Sequence, residues 1–411
     1  MKILLVSEDL PVAHLGGAGK HAVLLGNTLA EAGHQVEMLG RLRAAGVVGN
    51  NDFDGPLHAD IDLRGTGWQE YRFGAFLPGR REHAARRVWA AVRRLGVERF
   101  DVIHYHGHLN ALGALVPAAV PFVQTLHDQG SECLMLTRFP DGAPCRATDA
   151  RECAGCAAPR PNALQRWLSA AAVRRLRHRS ALAFARHQTV FVSAFLRDRF
   201  VANAQPALPL RAQVVHNFTS AARLRAALAT PLPAPEGKPV VLMVGRIDAA
   251  KGFGAFLDAV PDTLLQRWAW RVVGDGPQLP ELRARHAPRG VQFAGFMAQA
   301  DTYRETAAAA VCVVPSVWDE PCGTTLLEAL ALGRPTLALR RGGSAELAVY
   351  ERFPGQLLLA DDVAGLVARL AAVAPAAASI STVDDGADVH RQLPALERIY
   401  RAAGHGQQGD R

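Results

Sequence analysis

The sequence predicts an α/β protein made of two doubly wound, Rossmann-like domains in succession. Three observations carry this. The chain has 411 residues, more than one ordinary core holds and a natural length for two domains. Short apolar runs bounded by Gly, Pro or polar turn residues alternate with helical stretches from one end to the other, which is the pattern of parallel sheets joined by right-handed crossovers. Composition shifts near the middle, where residues 221–238 are rich in Ala and carry Pro231, Pro233, Pro235 and Gly237. Residues 1–220 are therefore expected as the first domain, 221–238 as a linker and 239–390 as the second domain.

The first domain opens with KILLV at residues 2–6, a buried strand. A Gly-rich loop through His14, Gly16, Gly17 and Gly19 then starts a helix from about Ala18 to Ala32. The loop lets a ligand sit against a helix start, where unpaired N–H groups point outward. It is not a P-loop, because His14 stands at the first Gly position and His21 replaces the Ser/Thr. Gln35 to Leu39 is the next strand, and Arg80 to Leu95 an Arg-rich helix. DVIHY (101–105) and PFVQTL (121–126) read as central strands ending in polar residues: His104, Tyr105, His106 and His108 after one, His127 and Asp128 after the other. Open α/β sheets bind ligands at the carboxyl ends of their strands, which marks His127 as a candidate. QTVFVS (188–193) and AQVVHN (212–217) complete the domain, with Ser193 as N-cap of the helix that follows.

Residues 129–161 interrupt the alternation. They hold Cys133, Cys145, Cys153 and Cys156, four of the six cysteines, and Cys153-Ala-Gly-Cys156 is one half of a zinc knuckle. Four thiolates around a structural Zn²⁺ would fix so irregular a loop; reduced, unligated thiols are the alternative.

Net charge is +8, supplied by Arg, since the chain has only Lys2, Lys20, Lys238 and Lys251. Arg160 to Arg186 contains seven Arg and no acid, and a second basic run spans Arg80 to Arg94. These are either solvated helix faces or a surface for anionic lipid head groups or an anionic acceptor. No recognition motif accompanies the charge and aromatics are 7%, which counts against nucleic acid. MKILLVSEDL reads as a strand and not as a signal peptide, and no apolar run reaches the ~20 residues of a membrane helix. The expected location is cytoplasmic.

The second domain repeats the alternation. Strands at Pro239–Val244 and Trp270–Val273 end in Gly245-Arg246 and Gly274-Asp275-Gly276; further strands follow at 291–293, 310–314 and 335–339. Arg246 and Lys251 lie across one tight loop at a strand end, where two cations would neutralise a diphosphate. Val311 to Leu332 is the most informative stretch. A strand leads through a turn into Gly323-Thr324-Thr325 and an apolar-periodic helix, with Glu320 before the helix and Glu328 about one turn inside. The helix start suits a phosphate, and Gly323 allows close approach to the backbone. Gly342-Gly343-Ser344 opens another helix.

These residues together resemble the retaining glycosyltransferases of family 4, of GT-B fold. The resemblance runs nearly end to end through Gly16-Gly17, DVIHYHG, TLHD, VVHN, VGRIDAAKG, VVGDGP and PSVWDEPCGTTLLEALALGRP, which contains the family's E-x7-E motif. It implies two Rossmann-like domains facing a cleft, the first binding the acceptor and the second the nucleotide sugar, with residues 391–411 as a closing helix that crosses back to the first. Arg246 and Lys251 would grip the donor diphosphate, with the backbone of Gly323, Thr324 and Thr325. Glu328 would take the ribose hydroxyls, Glu320 would face the transferred sugar, His127 would lie near its anomeric centre, and Gly16 and Gly17 would line the reacting groups. The reaction implied moves a sugar from a nucleoside diphosphate sugar to a glycan or lipid-linked acceptor, in bacterial cell-surface polysaccharide or glycolipid synthesis, without a catalytic metal. Peripheral contact with the inner membrane would use the basic helices of the first domain. A sugar-nucleotide epimerase of the same fold and a non-catalytic assembly partner are the alternatives; intact Arg246, Lys251, Glu320 and Glu328 speak against both.

Overall fold

The computed structural model describes residues 1–12, 15–69, 73–230, 237–376 and 382–405. The chain divides into two compact units: Met1–Arg138, Cys145–His216 and the chain from Gln392 form one, Phe139–Pro144 and Asn217–Arg391 the other.

The first unit carries seven strands: β1 (Lys2–Val6), β2 (Gln35–Arg41), β3 (Leu57–Ile61), β4 (Val102–Tyr105), β5 (Phe122–Leu126), β6 (Gln188–Phe191) and β7 (Ala212–Val214). All pair in parallel, in the order β3-β2-β1-β4-β5-β6-β7. Helices α1 (Gly17–Glu31), α2 (Arg80–Leu95), α3 (Ala154–Ala157), α4 (Ala163–Arg186) and α5 (Ala194–Ala204) belong to it. Strands β1, β4 and β5 are buried almost throughout, as parallel strands covered on both faces must be, and their runs are therefore continuously apolar. Helix α2 buries Ala84, Ala85, Val88, Trp89 and Val92 on one stripe and leaves Arg86, Arg87, Arg93 and Arg94 in water. Strand β3 escapes a reading by pattern because it is an edge strand, largely half-exposed, with His58 and Asp60 in its run.

The second unit carries β8 (Val240–Val244), β9 (Ala269–Val273), β10 (Val291–Gly295), β11 (Val311–Val314), β12 (Thr336–Leu339) and β13 (Leu357–Ala360), all parallel, in the order β10-β9-β8-β11-β12-β13. Its helices are α6 (Ala221–Leu228), α7 (Phe253–Ala259), α8 (Asp262–Leu265), α9 (Leu279–His286), α10 (Gln299–Ala308), α11 (Thr324–Ala331) and α12 (Val363–Ala372). Phe253, Phe256, Leu257, Trp268 and Trp270 form the centre of its core with Val241, Met243 and Val313.

Two expectations change. The second unit begins at Asn217, and residues 221–228 are helix α6 instead of linker. Ser220 caps that helix by accepting from Arg223 N, and Leu224 and Ala227 pack on Tyr303, Ala307, Ala331 and Leu332. Of the expected linker, Pro231, Pro233 and Pro235 lie outside the described residues, as does His14 of the Gly-rich loop. The helix expected after Gly342-Gly343 is a 3-10 helix, Ser344–Tyr350.

Helix α13 (Val389–His405) closes the described chain, and from Gln392 onward it belongs to the first unit. Tyr400 hydroxyl lies 2.8 Å from His104 Nδ1, and Glu397 Oε1 lies 3.0 Å from His34 Nε2. Residues 406–411 of the expected closing segment are outside the described residues. Among the described residues no helix is long and apolar enough to cross a membrane.

Candidate functional site

The second unit concentrates its polar loops where strand order reverses, between β8 and β11. That switch point is where open α/β sheets leave a crevice for ligands. After β8 the chain turns through Gly245, and Asp248 caps a 3-10 turn (Ala249–Lys251) by accepting from Lys251 N at 3.0 Å. Gly252 ends the turn at φ +71°, and a Cβ there would fall 2.1 Å from Pro315 O. The loop after β11 is tied to the same turn, because Val317 N and Trp318 N both donate to Ala250 O, at 3.0 and 3.3 Å.

These bonds set Lys251 beside Glu320, with Nζ 2.6 Å from Oε1 and side chains 23% and 17% exposed. Ser316 Oγ donates to Glu320 Oε2 at 3.0 Å, and Gly343 N donates to Glu320 O at 2.9 Å. Gly342, at φ +56°, permits that last approach: a Cβ would meet Glu320 O at 2.1 Å. Gly323 starts α11 without a side-chain cap. Its Cβ position would be 3.5 Å from the Glu320 carboxyl carbon, so the carboxylate sits beside the uncapped helix start. A small cavity there is lined by Ser316, Glu320, Gly323, Arg341 and Ser344.

Arg246 stands apart from this pair. It is 72% exposed, with Nη2 2.5 Å from Asp248 Oδ2 on its own loop. Thr324 and Thr325 are half-buried in the first turn of α11, and Glu328 follows on the same helix. Glu328 bonds the hydroxyl of Tyr303 on α10, and Gln299 Nε2 donates to that hydroxyl at 2.6 Å. Burial and the Glu328 charge push the Tyr303 pKa up. Burial likewise pushes the Cys322 thiol up to about 12. Tyr303 gave no sign in the sequence, since its partnership is made by packing α10 on α11.

In the first unit the reversal of strand order falls between β1 and β4. Gly16 and Gly17 start α1, and among the described residues a Cβ on either would meet nothing within 4 Å. Glu8, wholly buried, accepts from Tyr105 hydroxyl at 2.8 Å and from His108 N at 2.6 Å. Burial raises its pKa. His108 joins two carboxylates, through Nδ1 to Asp128 and through Nε2 to Asp9 at 3.2 Å. Burial alone would lower His108, but Asp128 and Asp9 more than offset it and raise its pKa well above the usual value.

His127 lies next to this network. Its Nε2 is 3.2 Å from His106 Nδ1, and its ring centre is 4.7 Å from that of His21. His104, beneath them, bonds Tyr400 and Thr125. Burial, with neighbouring imidazoles, lowers His21 and His106 well below the usual range and His104 to about 3.

The four-cysteine loop also belongs to the first unit. Cys133 and Cys153 are each raised to about 11, mainly by burial, and Cys153 feels the charges of Cys145 and Cys156. Among the described residues, three metal-type donors of different side chains come within 4.8 Å of one another at His21, His106 and His127 and not at the cysteines. The loop has a second anchor that its sequence hid. Glu132, buried, lies 3.5 Å from Arg138 Nη1 and 3.6 Å from Arg199 Nε, and both arginines donate to Cys145 O. The basic run of α4 is also partly spent inside the fold. Arg175 is paired in two places with Glu82, and Arg177 donates to the carbonyls of Glu132, Thr148 and Asn203.

The sequence pattern of the family described as Glycosyltransferase Family 4 matches residues 15–223, and that described as Glycosyl transferases group 1 matches residues 238–374. Glycogen synthase of Mycobacterium tuberculosis is 27% identical over 417 residues, covering 97% of this chain and 90% of that one. Among solved structures, the catalytic domain of starch synthase IV from Arabidopsis thaliana, bound to ADP and acarbose, has a TM-score of 0.61 at 15% identity and covers 98% of this chain and 99% of its own. Anabaena HepE in complex with UDP-glucose has a TM-score of 0.56 at 16% identity, over 99% of this chain and 93% of its own. The two parallel-sheet units, the E-x7-E helix start and the span of these matches lead to one assignment: the chain belongs to glycosyltransferase family 4, and is a hexosyltransferase-type enzyme of GT-B fold.

Proposed function

We propose that the protein transfers a sugar, with retention of anomeric configuration, from a nucleoside diphosphate sugar to a glycan or lipid-linked acceptor, in bacterial cell-surface polysaccharide or glycolipid synthesis. One observation carries the donor assignment: Lys251 and Glu320 meet beside the uncapped start of α11, at the sheet's switch point. Helix N–H groups and an ammonium are the partners a diphosphate seeks. In this reading Lys251 exchanges Glu320 for a diphosphate oxygen when the donor binds. Arg246, exposed and paired with Asp248 at rest, swings from Asp248 to the same group. Glu320, released, turns to the sugar hydroxyls, and Glu328, oriented by Tyr303, accepts from the ribose.

The chemistry asked of these residues is electrostatic. The bond from the anomeric carbon to the diphosphate oxygen breaks, and the acceptor hydroxyl bonds to that carbon from the same face. Its proton passes to the departing diphosphate, whose charge Lys251, Arg246 and the amides of Gly323 to Thr325 stabilise. His127 serves the transferred sugar through hydrogen bonds to its hydroxyls, and no metal takes part in the transfer. The relatives named above support a nucleotide donor: HepE is seen with UDP-glucose and starch synthase IV with ADP.

The test is a release assay across UDP-, GDP- and ADP-sugars with the product anomer read by NMR. One nucleotude class released, with an α-donor giving an α-product, supports the proposal; no release from any donor, or inversion, contradicts it. A structural zinc at Cys133, Cys145, Cys153 and Cys156 is a separate proposal, which rests on the Cys153-Ala-Gly-Cys156 half-knuckle in the sequence. Metal analysis of the purified protein is expected to give about one Zn per chain at that loop.

A further inference from the structure

We propose that His21, His106 and His127 form a binding site for a divalent transition-metal cation of the Zn²⁺ type, and that its occupation holds the enzyme inactive. One ring nitrogen of each residue lies within 4.8 Å of the other two, and the set contains no carboxylate. Three imidazoles select Zn²⁺, Co²⁺, Ni²⁺ or Cu²⁺ over Mg²⁺ and Ca²⁺, which take oxygen.

The three side chains come from separate, rigid parts of the first unit. His21 projects from α1, His106 follows β4 and His127 follows β5, so their convergence is fixed by the sheet and not by a loop. His106 is wholly buried; its Nδ1 lies 3.2 Å from His127 Nε2, and among the described residues its Nε2 has no hydrogen-bond partner. His104 backs the trio, with its ring centre 3.9 Å from that of His106, but both its nitrogens are held by Tyr400 and Thr125. It therefore packs against the His106 ring without joining the trio. Three protein ligands leave a fourth position of a tetrahedral ion open to water.

The inhibitory consequence rests on the function proposed above, in which His127 serves the transferred sugar. A cation that takes the His127 ring nitrogen removes it from that task.

The test uses untagged, full-length protein stripped of metal and titrated with Co²⁺. The expected result is visible absorption of tetrahedral Co²⁺ that grows in a step bringing no near-ultraviolet thiolate-to-cobalt band, since imidazoles hold it; Co²⁺ taken by the four-cysteine loop would add a separate step with that band. Zn²⁺ should displace it. His21→Gln and His106→Gln, checked for native circular dichroism, should each weaken binding about 10-fold or more, a loss at least as large as that from removing a second-shell partner. A wild-type titration that shows no such band, or only one with sulfur charge transfer, overturns the site whatever the variants do. So does a band of equal affinity in a folded variant. Inhibition is read separately: Zn²⁺ near its Kd should halve sugar transfer and EDTA restore it. Transfer unaffected at saturating metal refutes the inhibitory role, while the titration judges the site without any transferase activity.

Discussion

In the proposed reaction Lys251 bears the largest single demand, because it would neutralise charge that appears on the leaving diphosphate. Lys251→Ala should lower kcat by about 10²-fold or more, as loss of one charge-stabilising donor does, with unchanged turnover contradicting the role. His108 offers a prediction in pH. Its pKa is raised in the fold by Asp128 and Asp9 against the cost of burial. Its contribution to stability is therefore full below its unfolded value, near pH 6.5, and fades as pH rises through the higher folded value. The penalty of His108→Gln, about 1.5–3 kcal/mol for hydrogen bonds to a charged group, should appear in urea unfolding at pH 6 and shrink at pH 9. An equal penalty at both would show that the fold does not raise the His108 pKa. At this scale the sequence disclosed residue types better than partners. Glu320 and Lys251 were legible as a carboxylate and a cation near one phosphate site. Their resting ion pair was not, since 69 positions separate them and two loops must pack before they meet. His21 read only as a departure from a P-loop, because its neighbours arrive from β4 and β5.

Elements position the site through backbone contacts that permit no side chain. Gly252, at φ +71° with its Cβ position 2.1 Å from Pro315 O, lets the β8 loop lie against the β11 loop. Gly252→Ala should destabilise the second unit by about 1–3 kcal/mol through strain and overpacking. It should also raise the donor KM, because the same contact aligns Lys251 with Glu320. Differential scanning calorimetry with donor kinetics checks both; an unchanged Tm and KM would mean that the loops adjust freely. Central strands and α2 were readable because burial on both faces, or on one stripe, imposes a pattern. Edge strand β3 and helix α6 were not. One is too exposed to show a pattern, and the other looks like Ala-rich linker until Ser220 caps it and Leu224 finds a core.

For the whole molecule, the two parallel sheets follow from alternation and length, and their division after His216 follows from α6 packing into the second unit. Surface charge yields a further expectation. Leu164 and Trp167 are 62% and 65% exposed at the start of α4, beside exposed Arg166. This supports peripheral binding to anionic lipid, although Arg175 and Arg177 of the same helix are engaged within the fold. Trp167→Ala should reduce co-sedimentation with vesicles containing phosphatidylglycerol, and equal sedimentation of both proteins would remove that surface from the account.

The central claim is that the switch point of the second unit holds a nucleoside diphosphate. Calorimetric titration of UDP, GDP and ADP into the wild type and into a double Arg246→Ala, Lys251→Ala variant tests it most directly. One nucleotide should bind the wild type at one site per chain, and the folded variant should bind it about 10²-fold more weakly, two charge-assisted contacts having been lost. Equal affinity in both proteins, or no binding of any nucleotide, would contradict it.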